Sequence, residues 1–241
     1  MLRIAPVAAF ILMAPLGAQT VVVQPAPGIR ATETRTVPIA QGGSLKVSNV
    51  NGHIRVTVWE RPDVEFTGAF VPGAGKEQVK VVLEPRNGGL EIRGEYPKDS
   101  HKGPVCEMDL KVPRSVLPIL ETVNGLVELK DVAGAAACRT VNGAIRVEHL
   151  QGALTAETVN GGITGSDLAG PVTARTVNGA IRLAAQNLKG RLKATTVNGT
   201  LRIRSEGARD VSAAKHRFEA SFGDSAQVLQ IKTVNGDITL D

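Results

Sequence analysis

The chain has 241 residues and a formal net charge of +5, with 42% hydrophobic and 3% aromatic residues. That length suits one all-β domain or two small ones, and the apolar content is ample for a buried core. Its 28 basic and 23 acidic residues are intermingled, unlike the Lys/Arg blocks of nucleic-acid binders, and so few rings argue against an aromatic sugar-binding platform.

At the N-terminus, Met1-Leu2-Arg3 precedes an apolar stretch from Ile4 to Leu16 and small residues before Gln19. This is the pattern of a secretory signal peptide over 1–18, with cleavage expected after Ala18; the apolar stretch is short for a membrane anchor. No cysteine stands near the expected cleavage point to carry a lipid, and no hydrophobic tail precedes Asp241. The mature form is therefore expected to be exported, without a membrane span, to the periplasm, the medium or the cell surface. Its two cysteines, Cys106 and Cys138, are either a candidate disulfide, as an oxidising compartment allows, or two buried thiols.

Residues 19–40 carry three prolines and no sustained alternation, so they are expected to form an extended leader. The domain proper is expected over 41–241. Within it, 41–112 reads as an irregular β part with alternation in "SLKVSNVNGHIRVTVWE", "DVEFTGAFV", "EQVKVVLEP" and "GGLEIRGEY". Regular repeats follow over 113–206, and C-terminal laps with a cap over 207–241.

The repeat is the run Thr-Val-Asn-Gly, starting at Thr122, Thr140, Thr158, Thr176, Thr196 and Thr233, with the variant Asn49-Val50-Asn51-Gly52. Its glycines Gly125, Gly143, Gly161 and Gly179 are 18 residues apart; Gly199 follows after 20 and Gly236 after a further 37. A second series, Gly134, Gly152, Gly170 and Gly190, runs half a lap away, and Val132, Leu150, Leu168 and Leu188 precede it by two positions. After each motif, pairs such as Ile145 and Val147 or Ile181 and Leu183 flank a polar residue; before it, Leu154 and Ala156 or Val172 and Ala174 alternate in the opposite phase.

Two strands and two corners per lap of about 18 residues predict an all-β fold, a parallel β-solenoid with irregular β caps at both ends. A left-handed hexapeptide helix needs an apolar residue every six positions, which these columns lack. Independent hairpins, the usual meaning of Asn-Gly, do not require identical residues at every eighteenth position.

The stretch "CEMDLKVPRSVLPILETVNGLVELKDVAGAAACRTVNGAIRVEHLQG" resembles the bacterial domain-of-unknown-function family of adhesin-like proteins with β-strand repeats. The features shared are a strand ending in Val112-Pro113, the Thr-Val-Asn-Gly corners and a Ser221-Phe222-Gly223-Asp224 corner, and the resemblance spans about residues 41 to 241. It implies an exported, envelope-associated β-solenoid and brings no catalytic residues, metal or cofactor with it.

Asn51, Asn124, Asn142, Asn160, Asn178, Asn198 and Asn235 are expected to stack as an amide ladder, with Gly supplying positive φ at the bend and Val opening the next buried phase. A Thr-x-Asn array that orders water is the functional rival, disfavoured by the charged columns beside it. Glu121, Arg139, Glu157, Arg175 and Thr195 alternate in charge three positions before the Asn and are expected to fix register. Arg146, Arg182 and Arg202, four positions after it, form a basic stripe that is a candidate contact for an anionic envelope polymer or surface partner.

Asp131, His149 and Asp167 recur at one corner on three successive laps. They are the candidate catalytic or metal-binding group, with ordinary turn chemistry as the competing explanation. The reading that results is a non-enzymatic adhesin-like scaffold needing no cofactor or metal and partnered by an envelope or surface polymer or protein rather than nucleic acid. A polysaccharide-active β-helix enzyme, or a metal-binding module built on Asp131, His149 and Asp167, is the alternative.

Overall fold

A computed structural model describes residues 19–97, 103–184, 189–204, 206–223 and 225–241. The expected signal peptide over 1–18, together with Leu188 and Asp224 of the patterns above, lies outside the described residues. Described residues contain strands and no helix, arranged as a twelve-stranded and a ten-stranded sheet.

Seven laps form the body of the molecule, each giving one strand to the twelve-stranded first sheet and one to the ten-stranded second. In chain order they are Ser44–Ser48 with Ile54–Trp59, Leu117–Glu121 with Val127–Lys130, Ala136–Arg139 with Ile145–Leu150, and Leu154–Asn160 with Ile163–Leu168. Val172–Asn178 with Ile181–Leu183, Gly190–Thr195 with Leu201–Ile203, and Val228–Lys232 with Ile238–Leu240 complete the set. Each strand pairs in parallel with its copy, Leu154 on Val172 and Ile163 on Ile181, so every side chain packs on its equivalent about 4.8 Å away. Inward residues of the two sheets, among them Ala156, Ala174, Ile145, Ile163 and Ile181, meet in one buried cluster. This is the predicted parallel β-solenoid.

Space does not follow chain order at the C-terminal end. Lap seven lies between laps five and six: Leu229 pairs with Val172 on one side and Leu192 on the other, and Ile238 with Ile181 and Leu201. The two irregular spacings in the sequence now have a cause. Lap six skips one level, and two extra residues reach about 6.6 Å when extended, enough for the additional strand spacing. The 37-residue interval then accommodates a hairpin, Ala208–Ala214 and Arg217–Phe222, which pairs antiparallel along Gly190–Thr195. Had lap seven come last, it would leave both its edges bare; inserted, it leaves the outer place to a lap whose first strand the hairpin covers.

At the other end each sheet extends beyond lap one through one more parallel strand, Gly89–Glu95 or Val105–Pro113, and then through antiparallel ones. Residues 19–40, expected as an extended leader, contribute two of them: Val21–Val23 pairs with Val81–Leu83, and Ala31–Pro38 with Asp63–Phe70. Cys106 and Cys138 are buried free thiols, not a bridge. Cys106 lies on Val105–Pro113, one strand beyond lap one, and Cys138 on lap three, so three strand spacings, about 14 Å, separate their levels. A disulfide needs Cα atoms within about 7 Å. Burial pushes both thiols up to about 12.

Candidate functional site

Each corner assigns a separate task to every residue of its motif. Thr points inward: Thr122, Thr140, Thr158, Thr176, Thr196 and Thr233 are at most 5% exposed. Each hydroxyl donates to the glycine carbonyl of the neighbouring corner, as Thr158 does to Gly143 at 3.0 Å and Thr176 to Gly161 at 2.9 Å. The Asn side chains face outward and form the expected ladder, Nδ2 to Oδ1, from Asn124 on Asn51 through Asn142, Asn160, Asn178 and Asn235 to Asn198, at 2.8–2.9 Å. With Thr buried, a Thr-x-Asn surface array does not exist.

Two expectations about the corner need correction. Among its glycines only Gly52 has positive φ, 125°. The others are required by close approach, because a Cβ on Gly143 or Gly161 would collide with the glycine carbonyl of the lap before it. Val does not open a buried phase either. Val50, Val123, Val141, Val159, Val177 and Val197 are 36–51% exposed and line up beside the ladder as a continuous aliphatic ridge.

The variant corner is also accounted for. Lap one has no regular corner beneath it, so the longer Asn49 replaces Thr and donates through Nδ2 to the Cys106 carbonyl at 2.8 Å. Its Oδ1 accepts from the Tyr96 hydroxyl, which also donates to the Asn51 carbonyl at 2.9 Å. Burial raises the Tyr96 phenol well above its ordinary range, against the hydrogen bond to the Asn51 carbonyl, which works to lower it.

Outside the corners, charges run in columns. On the first sheet, Arg139 reaches Glu121 at 3.3 Å and Glu157 at 3.1 Å, and Arg175 reaches Glu157 at 3.5 Å. The hydrogen bonds to Glu157 and Glu121 raise the Arg139 guanidinium. Insertion of lap seven ends this alternation, because Arg175 then faces Lys232 instead of Thr195. On the second sheet, Asp109, Arg55, Glu128 and Arg146 are linked at 3.0, 2.7 and 3.1 Å, and His53 bridges Glu107 and Asp109 at 2.7 and 3.3 Å. Desolvation works to raise the Glu128 carboxyl, but hydrogen bonds from Arg55 and Arg146 outweigh it and hold the group below its ordinary value. Glu107 and Asp109 escaped the sequence reading because they lie on an irregular strand whose register is set from lap one. Arg55, four positions after Asn51, was the available clue.

The expected basic stripe is interrupted. Its order in the sheet is Arg146, Thr164, Arg182, Thr239, Arg202. Arg146 is held by Glu128 and Arg202 by Asp237 at 3.2 Å, which leaves Arg182 without a carboxylate among the described residues. A shallow groove of about 280 Å³ over Thr164 and Ser166, flanked by Arg146 and Arg182, also includes Asp241.

Asp131, His149 and Asp167 do come together: the imidazole lies between the carboxylates at 3.1 and 3.2 Å. All three have positive φ, 64°, 52° and 52°, a backbone state that favours Asp, Asn and His among side-chain-bearing residues, and all are half-exposed on a convex turn. Both ring nitrogens of His149 are directed at carboxylates. No three His, Cys, Asp or Glu among the described residues are arranged to hold one.

The family model described as Toastrack DUF4097 matches residues 120–241, from the first strand of lap two to the end of the chain. The chain belongs to this family. Residues 120–241 of this Toastrack domain include six of the seven corners. In fold, the domain is similar to the crystal structure of a "putative cell adhesion protein" from Clostridium sporogenes, with a TM-score of 0.52 at 10% identity, over 88% of this chain and 99% of that one. No curated protein matches the chain in sequence. No helix among the described residues is long and apolar enough to cross a membrane.

Proposed function

We propose that this Toastrack domain is a non-enzymatic, exported, adhesin-like module of the cell envelope, which acts by presenting a rigid array of side chains to an envelope or surface partner. The observation that carries the reading is the division of labour at the corner. Thr, Asn and Gly are spent on holding laps together, while Val, the one motif residue the corner does not use, is exposed in register on lap after lap. A contiguous apolar ridge repeated at the strand spacing is what an interaction surface requires, and charged columns on either side limit what can lie against it. The signal-peptide pattern over 1–18 supports export, and the similarity in fold to a protein named for cell adhesion is consistent with a binding role.

The test is co-sedimentation of the mature protein with envelope fractions, comparing wild type with Val141→Asp/Val159→Asp and with Asp131→Asn/His149→Asn/Asp167→Asn. Asn is chosen because it tolerates positive φ. Association is expected to fall in the first variant and survive in the second. The reading fails if the wild type does not associate, or if the Asn variant keeps its melting temperature but loses an envelope-directed activity.

A further inference from the structure

Among the described residues, three of the four ends of the stacked sheets are closed by further strands that finish in antiparallel pairs, and the fourth is bare. Beyond lap one the first sheet continues through Gly89–Glu95, Lys80–Arg86 and Val21–Val23, and the second through Val105–Pro113, Asp63–Val71 and Ala31–Pro38. Beyond lap six the first sheet continues through its hairpin, but the second stops at Leu201–Ile203. That end is a step two strands high, with Leu201–Ile203 as its floor. The outer hairpin strand Ala208–Ala214 is exposed on both faces because no strand of the second sheet stands opposite it.

The floor is incomplete in three respects. Leu201 and Ile203 are only half-buried, whereas their counterparts Ile181, Leu183, Ile238 and Leu240 are at most 3% exposed. Ile238 N donates to the Thr200 carbonyl and Arg204 N to the Leu240 carbonyl. Alternation along the strand therefore turns the N–H and C=O of Leu201 and Ile203 toward the open edge. Asn198 is the last rung of the ladder: its Nδ2 donates to Asn235, while its Oδ1 accepts no bond among the described residues.

The positive charge of the molecule is concentrated at the same end. Residues 189–217 hold eight Lys and Arg against two Asp and Glu, a net of +6 where the whole chain carries +5. All eight are exposed. Lys193 and Arg217 share Glu219, and Arg202 pairs with Asp237, but Lys189, Arg191, Arg204 and Lys215 have no carboxylate partner among the described residues.

We propose that the Leu201–Ile203 edge is a binding site for an acidic, extended segment of a partner protein, which adds to the second sheet as a further strand. The proposal names the partner that the display reading leaves open and rests on that reading for its premise that the domain works by binding. Free backbone groups select an extended peptide, Leu201 and Ile203 take its inward side chains, and the exposed Arg202, Arg204 and Lys215 select acidic outward ones. A second copy does not fit: antiparallel pairing of two such edges would drive the two hairpins, each standing two strands above lap six, into one another. The edge also lacks the aromatic platform on which nucleic-acid bases stack.

The mature full-length chain is titrated, by fluorescence anisotropy, with a labelled peptide of four Val-Glu pairs, its Val-Lys counterpart, and Val-Glu peptides N-methylated on either the Val or the Glu amides. The Val-Glu peptide is expected to bind at least tenfold more tightly than Val-Lys. Only one methylated set, the one whose amides face the edge, should abolish binding. Arg204→Glu/Lys215→Glu should weaken it at least tenfold, and Arg146→Glu, on the central laps, should leave it unchanged. Equal retention by both methylated peptides, equally tight binding of an oligothymidylate, or an Arg146→Glu loss matching that of the double variant would each overturn the site. If no peptide binds while the wild type still sediments with envelope fractions, the edge proposal falls and the display reading stands. Peptide binding without envelope association sinks the display reading alone.

Discussion

Laps two to five and the C-terminal end are built from the same sequence motif but solve different problems. In the central laps each strand is bounded on both sides by its own copy, so the columns are homogeneous: Thr over Thr, Asn over Asn, Glu against Arg. At the C-terminal end the last motif in the chain is placed inside and the preceding one outside, and both columns lose regularity there. Arg175 meets Lys232, and the core pair Leu201 and Ile203 is left half-buried. A repeat motif thus specifies how one lap sits on another, while the order of laps is decided by which lap can be capped. Only lap six adjoins the Ala208–Phe222 hairpin.

Breaking a central corner should have the largest effect. Gly143→Ala places a methyl against the backbone of the lap before it and is expected to cost about 3 kcal/mol or more. Gly207→Ala, with nothing near it but a φ of 75°, should cost only about 1 kcal/mol. Thermal or urea unfolding of the two variants would reverse the assignment if Gly207→Ala were the worse. The ladder provides a finer comparison. Chain order alone predicts that Asn235, the last of the seven, is the least important; spatial order makes it interior, with a neighbour on each side, and makes Asn198 terminal. Asn235→Ala and Asn160→Ala should each lose about 1–2 kcal/mol and Asn198→Ala about half as much. Parity between Asn198 and Asn235 would remove the inserted lap from the account.

A third difference is titratable. Because the folded-state pKa of Glu128 is depressed, its contribution to stability is present above the unfolded value of about 4.5 and is lost as pH falls through the lower folded value. The wild type should therefore lose melting temperature below about pH 4.5 more steeply than Glu128→Gln, and parallel curves would show that the Arg55 and Arg146 contacts are energetically idle. The smallest effect is a gain. Lys232→Glu restores alternation beside Arg175 and should stabilise by about 0.2–1 kcal/mol at low salt, fading as salt is added.

The lap, its two phases and its corners were legible because identical residues recur wherever identical neighbours stack. The inward Thr and outward Asn were not, since both are small polar residues and only hydrogen-bond geometry separates them. Lap order was hidden for a different reason. The spacings of 20 and 37 residues signalled a departure, but insertion and a simple excursion leave the same trace in a linear sequence. The candidate site divides in the same way. Asp131, His149 and Asp167 were found together because they share one register, and their φ values show a turn requirement that residue identity alone only suggests. The bare edge at Leu201–Ile203 was invisible because it exists only once lap seven has gone elsewhere.

Placing residues 228–241 between two earlier laps also affects how the chain is made. A solenoid stacked in chain order can be completed lap by lap as it emerges from a ribosome or a translocation pore. Here the laps on either side of the gap are synthesised before the segment that joins them. A chain cut short before residue 228 therefore lacks an interior layer, not a frayed end, and presents two unpaired lap surfaces to proteases. Synthesis of residues 228–241 is in this way built into the stability of the stack.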